Sequence, residues 1–145
     1  MRDLMQMTEP ILSDAAKLLA AKRGVGELAL KMGIEILELS AERAVATMPV
    51  EGNTQPLGLL HGGAYLVLGE TLGSFAANVW AGPEAHAVGI EISASHSKSA
   101  TSGLVTGVAT AVSLGKTLTV HEIVVTNDKG ERCSTIRITN LIRKN

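Results

Sequence analysis

Residues 55–80 read QPLGLLHGGAYLVLGETLGSFAANVW, and this stretch decides the fold. From Gly62 to Trp80, apolar side chains occupy nearly every direction of a helical wheel, which is the pattern of a helix buried on most sides. Gly82-Pro83 ends it. The stretch holds a single carboxylate, Glu70, and a carboxylate in apolar surroundings is costly to ionise unless it is paired. Glu70 therefore either faces water or performs a function.

Advancing about 100° per residue, Glu70, Thr71, Ser74 and Asn78 fall in one narrow sector, while Leu66, Val67, Leu68, Leu72, Phe75 and Val79 point mostly elsewhere. On a generic amphipathic helix such a strip is solvated. Here it is small and isolated among apolar residues, which favours a site. The helix starts at His61-Gly62-Gly63, where unpaired backbone N–H groups carry partial positive charge and glycine permits close approach. Gly62 and Glu70 are eight positions apart, so one straight helix separates them by about 12 Å. They cannot act on the same carbonyl. If helix-start amides and Glu70 serve one reacting atom, they come from two copies of the chain with antiparallel helices, which predicts a two-fold dimer with two composite sites.

Outward from the helix, Thr8-Glu9-Pro10 reads as the start of a helix carrying Ile11, Leu12, Ala15, Ala16, Leu18 and Leu19 up to Arg23-Gly24, a helical extension over residues 1–24. Residues 33–50 read as two strands separated by Ser40 to Arg43, and 52–58 as a loop. Beyond the long helix, strands are expected at 87–96, 103–112, 118–126 and 132–142, the last two joined as a hairpin by Asn127-Asp128-Lys129-Gly130. This order predicts an α+β fold, an antiparallel sheet around one long helix, forming a single domain over 1–145. Residues 1–7 and 143–145 are expected to be loose.

Composition narrows the function. With 145 residues, 46% hydrophobic content and a net charge of −1, the chain has a sizeable core and no electrostatic footprint for nucleic acid or an anionic membrane. The apolar region is too interrupted for a membrane span, and Asp3, Glu9 and Asp14 stand where a secretory signal would be apolar, so a cytoplasmic protein is expected. The single Cys133 excludes an internal disulfide and reads as a small buried hydrophobe on a strand. No His/Cys spacing suggests a metal, no cofactor motif is present, and no G-x-S-x-G elbow points to a serine hydrolase.

Gln55, His61-Gly62-Gly63, Glu70 and Ser74, followed by VGIEISASHSKS at 88–99 and SLGKT at 113–117, resemble the hotdog-fold acyl-CoA thioesterases. The resemblance is to the PaaI-type branch, whose enzymes act on phenylacetyl-, hydroxybenzoyl- and 1,4-dihydroxy-2-naphthoyl-CoA, and it covers roughly residues 32–142. It implies that Glu70 is nucleophile or general base and that the Gly62 N–H serves as oxyanion hole. It also implies that Gln55 and His61 orient or polarise the thioester, and that Ser74 helps position the attacking group. The implied substrate-binding set is Gly63, Thr71, His96, Ser97, Lys98, Ser99, Gly115 and Lys116, with no cofactor. Several relatives carry His-His-Arg where this chain has His96-Ser97-Lys98, which removes a planar guanidinium from the nucleotide path. Dimers paired into homotetramers, with an acyl-CoA substrate, are further implications. Two alternatives stay open: a non-catalytic acyl-CoA sensor on the same fold, and a hotdog dehydratase, against which the direct step from His61 into the helix argues.

Overall fold

The computed structural model describes residues 9–145. In chain order the elements are β1 (Ile11–Leu12), α1 (Asp14–Lys22), α2 (Glu27–Met32), β2 (Glu35–Leu39), β3 (Arg43–Pro49), α3 (Gly62–Ala81), β4 (Ala85–His96), β5 (Leu104–Leu114), β6 (Leu118–Thr126) and β7 (Arg132–Lys144). One sheet has the order β1-β2-β3-β5-β6-β7-β4, antiparallel at every step except the short β1–β2 pair. It wraps around α3, as the apolar wheel requires.

The helix lies close to the sheet because glycines face it. A Cβ on Gly73 would stand 2.3 Å from Ile138 Cγ2, and one on Gly69 would stand 2.8 Å from Ile136 Cδ1. Each glycine costs a helix about 1 kcal/mol relative to alanine, a cost that close packing of Leu68 and Leu72 on the sheet offsets. Both leucines are fully buried, in one core with Met48, Val105, Ile123, Val125, Ile136 and Ile138. Buried His121 on β6 contacts the Ala41 carbonyl through Nε2 at 2.8 Å, tying the sheet centre to the β2–β3 turn.

Three boundaries differ from expectation. Ile11 and Leu12 do not start a helix but pair in parallel with Glu38 and Leu39. The helix begins two residues later, where Ser13 Oγ accepts the Ala16 N–H at 3.1 Å and Asp14 occupies the first turn, a better cap than Pro10 offers. Thr8 and residues 1–7 lie outside the described residues. Second, α2 was not anticipated; its six residues are too few for a periodic signal, and Gly33 closes it at φ 74. Third, residues 143–145 are not loose: β7 runs to Lys144, and Asn145 N–H donates to the Glu84 carbonyl at 3.1 Å. The hairpin at 127–130 forms as expected, with Gly130 at φ 75.

Candidate active site

His61 caps α3. Its backbone is extended at φ −61, ψ 134, and its Nδ1 accepts the Gly63 N–H at 2.8 Å. An Nδ1 that accepts places the ring N–H on Nε2, which is the outward donor of His61. The same bond occupies the Gly63 amide. Gly62 N–H makes no hydrogen bond among the described residues, which leaves it as the open amide at the positive end of the helix.

His96 walls this amide. Its Nε2 stands 3.1 Å from where a Gly62 Cβ would be, its Nδ1 is 2.9 Å from Ser134 Oγ, and its ring lies 5.0 Å from that of Tyr65. Gln55 completes the wall: its side-chain oxygen accepts the Leu57 N–H, and its amide NH2 has no partner among the described residues. These groups line a cleft of ≈ 290 Å³ together with Ser97, Lys98 and Ser99. Of the sequence-predicted residues, Gln55, Gly62, His96, Ser97, Lys98 and Ser99 are thus brought together.

Lys98 is already engaged there, bound to Glu131 at 2.6 Å, and that carboxylate raises the lysine's pKa. Ser97 Oγ donates to the Arg132 carbonyl at 3.0 Å. Neither is poised as an unencumbered phosphate ligand.

Tyr65 closes the cleft floor beside Cys133, which is buried on β7 as expected. Burial, then the neighbouring thiol, pushes the Tyr65 hydroxyl up to about 12 from 10.0. It is the one tyrosine in the chain, so an ultraviolet pH titration reads it alone. At about pH 11 the folded protein is expected to show little phenolate and the denatured chain mostly phenolate. Above pH 10 the unfolded chain releases a proton that the folded chain keeps, so stability falls as pH rises through this window.

The strip on α3 is polar as expected, but its members differ in use. Thr71 Oγ1 donates to the Val67 carbonyl at 2.7 Å, which spends its hydroxyl on its own helix. Asn78 acts as a clamp: its Oδ1 accepts the Ala87 N–H at 2.9 Å and Arg23 at 3.0 Å, and its Nδ2 donates to the Ser74 carbonyl at 2.8 Å. Ser74 Oγ donates to Asn140 Oδ1 at 3.2 Å. Glu70 is exposed in the single chain, so its own subunit does not supply the apolar enclosure expected from its neighbours in sequence. Its Oε1 lies over Gly89 of β4, 2.8 Å from where a Cβ would stand.

Gly115 and Lys116 sit at the opposite end of α3, where Trp80 Nε1 donates to the Gly115 carbonyl at 2.8 Å. Gly62 and Trp80 are separated by about 27 Å of helix, so one chain does not unite the two stretches expected to bind substrate. Of the large apolar side chains on α3, Leu68 is 0% exposed and belongs to the core, whereas Val67, Phe75 and Trp80 reach its surface. Sequence reasoning missed Gly89 and Asn140, partners across the β4–β7 ladder at the start of a β-bulge. A glycine inside a strand is the signal that pointed to the first of them.

Comparison with known proteins gives a consistent picture. The family described as the thioesterase superfamily matches residues 57–134. A proofreading thioesterase, EntH, of Cronobacter turicensis is 43% identical over 119 residues, spanning 81% of this chain and 87% of the relative. The 1,4-dihydroxy-2-naphthoyl-CoA hydrolase of Escherichia coli is 39% identical over 120 residues, spanning 82% and 88% respectively. A crystal structure of a mutant thioesterase from Pseudomonas aeruginosa superposes with a TM-score of 0.79 at 34% identity, covering 92% of this chain and 96% of that one.

Proposed function

The chain belongs to the thioesterase superfamily and is a thioester hydrolase of hotdog fold; from that premise we propose that it cleaves acyl-CoA thioesters at sites each built from two subunits. The observation that carries this reading is the distribution of the reactive groups. Glu70 is exposed, and the open Gly62 amide lies about 12 Å away along the same helix.

Pairing two chains removes the separation. Among the described residues β4 ends the sheet order with one edge unpaired, and Val88 and Ile90 on it are 42% and 55% exposed, an apolar edge that another β4 would cover. Two-fold pairing at that edge sets the α3 helices antiparallel and brings Gly62 of the partner subunit to Glu70. The same arrangement carries Gly115 and Lys116 of the partner subunit toward the cleft at His96, uniting the two stretches along which CoA would lie. Exposed Val112 and Leu118 on the outer side of the sheet support pairing of two dimers into a tetramer. No described helix is long and apolar enough to cross a membrane, in keeping with the cytoplasmic location we propose.

In the reaction, the thioester carbonyl accepts hydrogen bonds from Gly62 N–H, with the His61 Nε2–H and the Gln55 amide as further donors. These donors stabilise the charge that develops on oxygen when the carbon is attacked. Glu70 supplies the attack, directly or through water, and the thiolate of CoA leaves. The 39% identical relative, by name a 1,4-dihydroxy-2-naphthoyl-CoA hydrolase, supports an aryl substrate. Thiol release from a panel of aromatic and aliphatic CoA esters tests this: turnover on aryl esters is expected, and binding without thiol release on every ester would indicate a sensor.

A further inference from the structure

One row of buried polar side chains crosses the sheet beneath Glu70. Gly89, Asn140 and Thr119 are register partners on β4, β7 and β6, and Asn140 and Thr119 are both 0% exposed. Asn140 Oδ1 holds the Ser74 hydroxyl at 3.2 Å, while Asn140 Nδ2 and Thr119 Oγ1 have no hydrogen-bond partner among the described residues. A buried amide with half its groups unsatisfied is a net cost to folding, and an aliphatic side chain of equal size would avoid it. Asn140 is therefore poorly explained as a structural residue.

Its carbonyl has a chemical use. Because the Ser74 proton is committed to Asn140, Ser74 Oγ is left as an acceptor, and it lies one helical turn from Glu70 on the same face. Two acceptors side by side bind both hydrogens of one water and aim its lone pair outward. Gly89 lets the Glu70 carboxylate settle over this row: a Cβ there would stand 2.8 Å from Glu70 Oε1, 3.5 Å from Ile138 Cδ1 and 3.7 Å from Asn140 Oδ1.

We propose that Asn140 is a positioning residue which, by fixing Ser74 as an acceptor, orients the attacking water for Glu70. This rests on the thioesterase reading above and specifies its water route. The water oxygen bonds to the thioester carbon as Glu70 takes its proton. The tetrahedral intermediate then collapses, the carbon–sulfur bond breaks with its electron pair on sulfur, and Glu70 returns the proton to the thiolate. Without the Asn140 oxygen, the Ser74 hydroxyl turns to donate to Glu70 and blunts the base.

The test is a double-mutant cycle on the full chain with steady-state kinetics and thermal melting. Asn140→Leu is expected to lower kcat about 10–100-fold with KM and melting temperature preserved. In a Ser74→Ala background the same change is expected to alter kcat less than about twofold, since its partner is gone. Equal losses in both backgrounds, or no loss, overturn the proposal; if the leucine variant does not fold, Asn140→Val takes its place in the cycle. Single turnover of the native enzyme in oxygen-18 water is expected to label the product acid and leave Glu70 unlabelled, and label on Glu70 overturns it as well. Glu70→Gln separates the two levels: collapse of turnover there with intact Asn140 variants defeats only this inference, whereas turnover unaffected by Glu70→Gln defeats the site reading itself.

Discussion

Glu70→Gln is expected to lower kcat for CoA thioester hydrolysis about 10³-fold, within the range that a positioned acid–base group supplies. The replacement keeps the size and hydrogen-bonding reach of the side chain and removes only its capacity to take a proton or attack. Glu70 is exposed in its own subunit and belongs to none of the core contacts, so the melting temperature of the subunit is expected to hold. KM is expected to change little, because the carboxylate acts on the reacting atoms and not on the nucleotide. Steady-state thiol release and calorimetry on the same preparation check both halves of this expectation.

Gly62→Pro is expected to cost about 10²–10³-fold in kcat, the scale of removing one oxyanion-hole donor. Proline deletes the N–H and little else at this position. Gly62 is the first residue of α3, where proline is tolerated, and His61 before it already has the extended backbone that a residue preceding proline adopts. Added ring atoms approach His96, whose Nε2 is 3.1 Å from the Cβ position. Gly62→Ala introduces the same contact while keeping the N–H, and it is expected to retain most activity. A proline loss much greater than the alanine loss assigns the effect to the amide.

What could be read in the chain follows the length scale of each signal. Nineteen residues from Gly62 to Trp80 establish the central helix because the apolar wheel repeats over several turns, and Gly82 closes it where the pattern ends. The hairpin at Asn127 to Gly130 is legible since its turn demands residues of that type. β1 and α2, of two and six residues, are held by tertiary partners such as Leu39 and not by local pattern, so no window of sequence reveals them.

The site divides in the same way. His61, Gly62 and Glu70 declare themselves through unusual chemistry in an apolar helix. Asn140 looks like an ordinary polar residue in a strand until its 3.2 Å bond to Ser74 shows that it faces inward. Lys98 is legible only in part: its stretch marks it as a candidate phosphate ligand, and Glu131, 2.6 Å away through pairing of distant strands, already engages it. Gly115 and Lys116 stand at the far end of α3, and only a second subunit gives their place in the motif a spatial meaning.

The composite site is the central claim, and subunit complementation tests it most directly. Glu70→Gln and Gly62→Pro chains, each nearly inactive alone, are denatured, mixed in equal amounts and refolded, with mass tags reporting the fraction of mixed dimers. In a mixed dimer one site carries both lesions and the other carries neither, so random pairing is expected to restore about one quarter of native activity. Mixed dimers that form and stay as inactive as their parents would contradict the account, because each site would then draw Glu70 and Gly62 from the same chain.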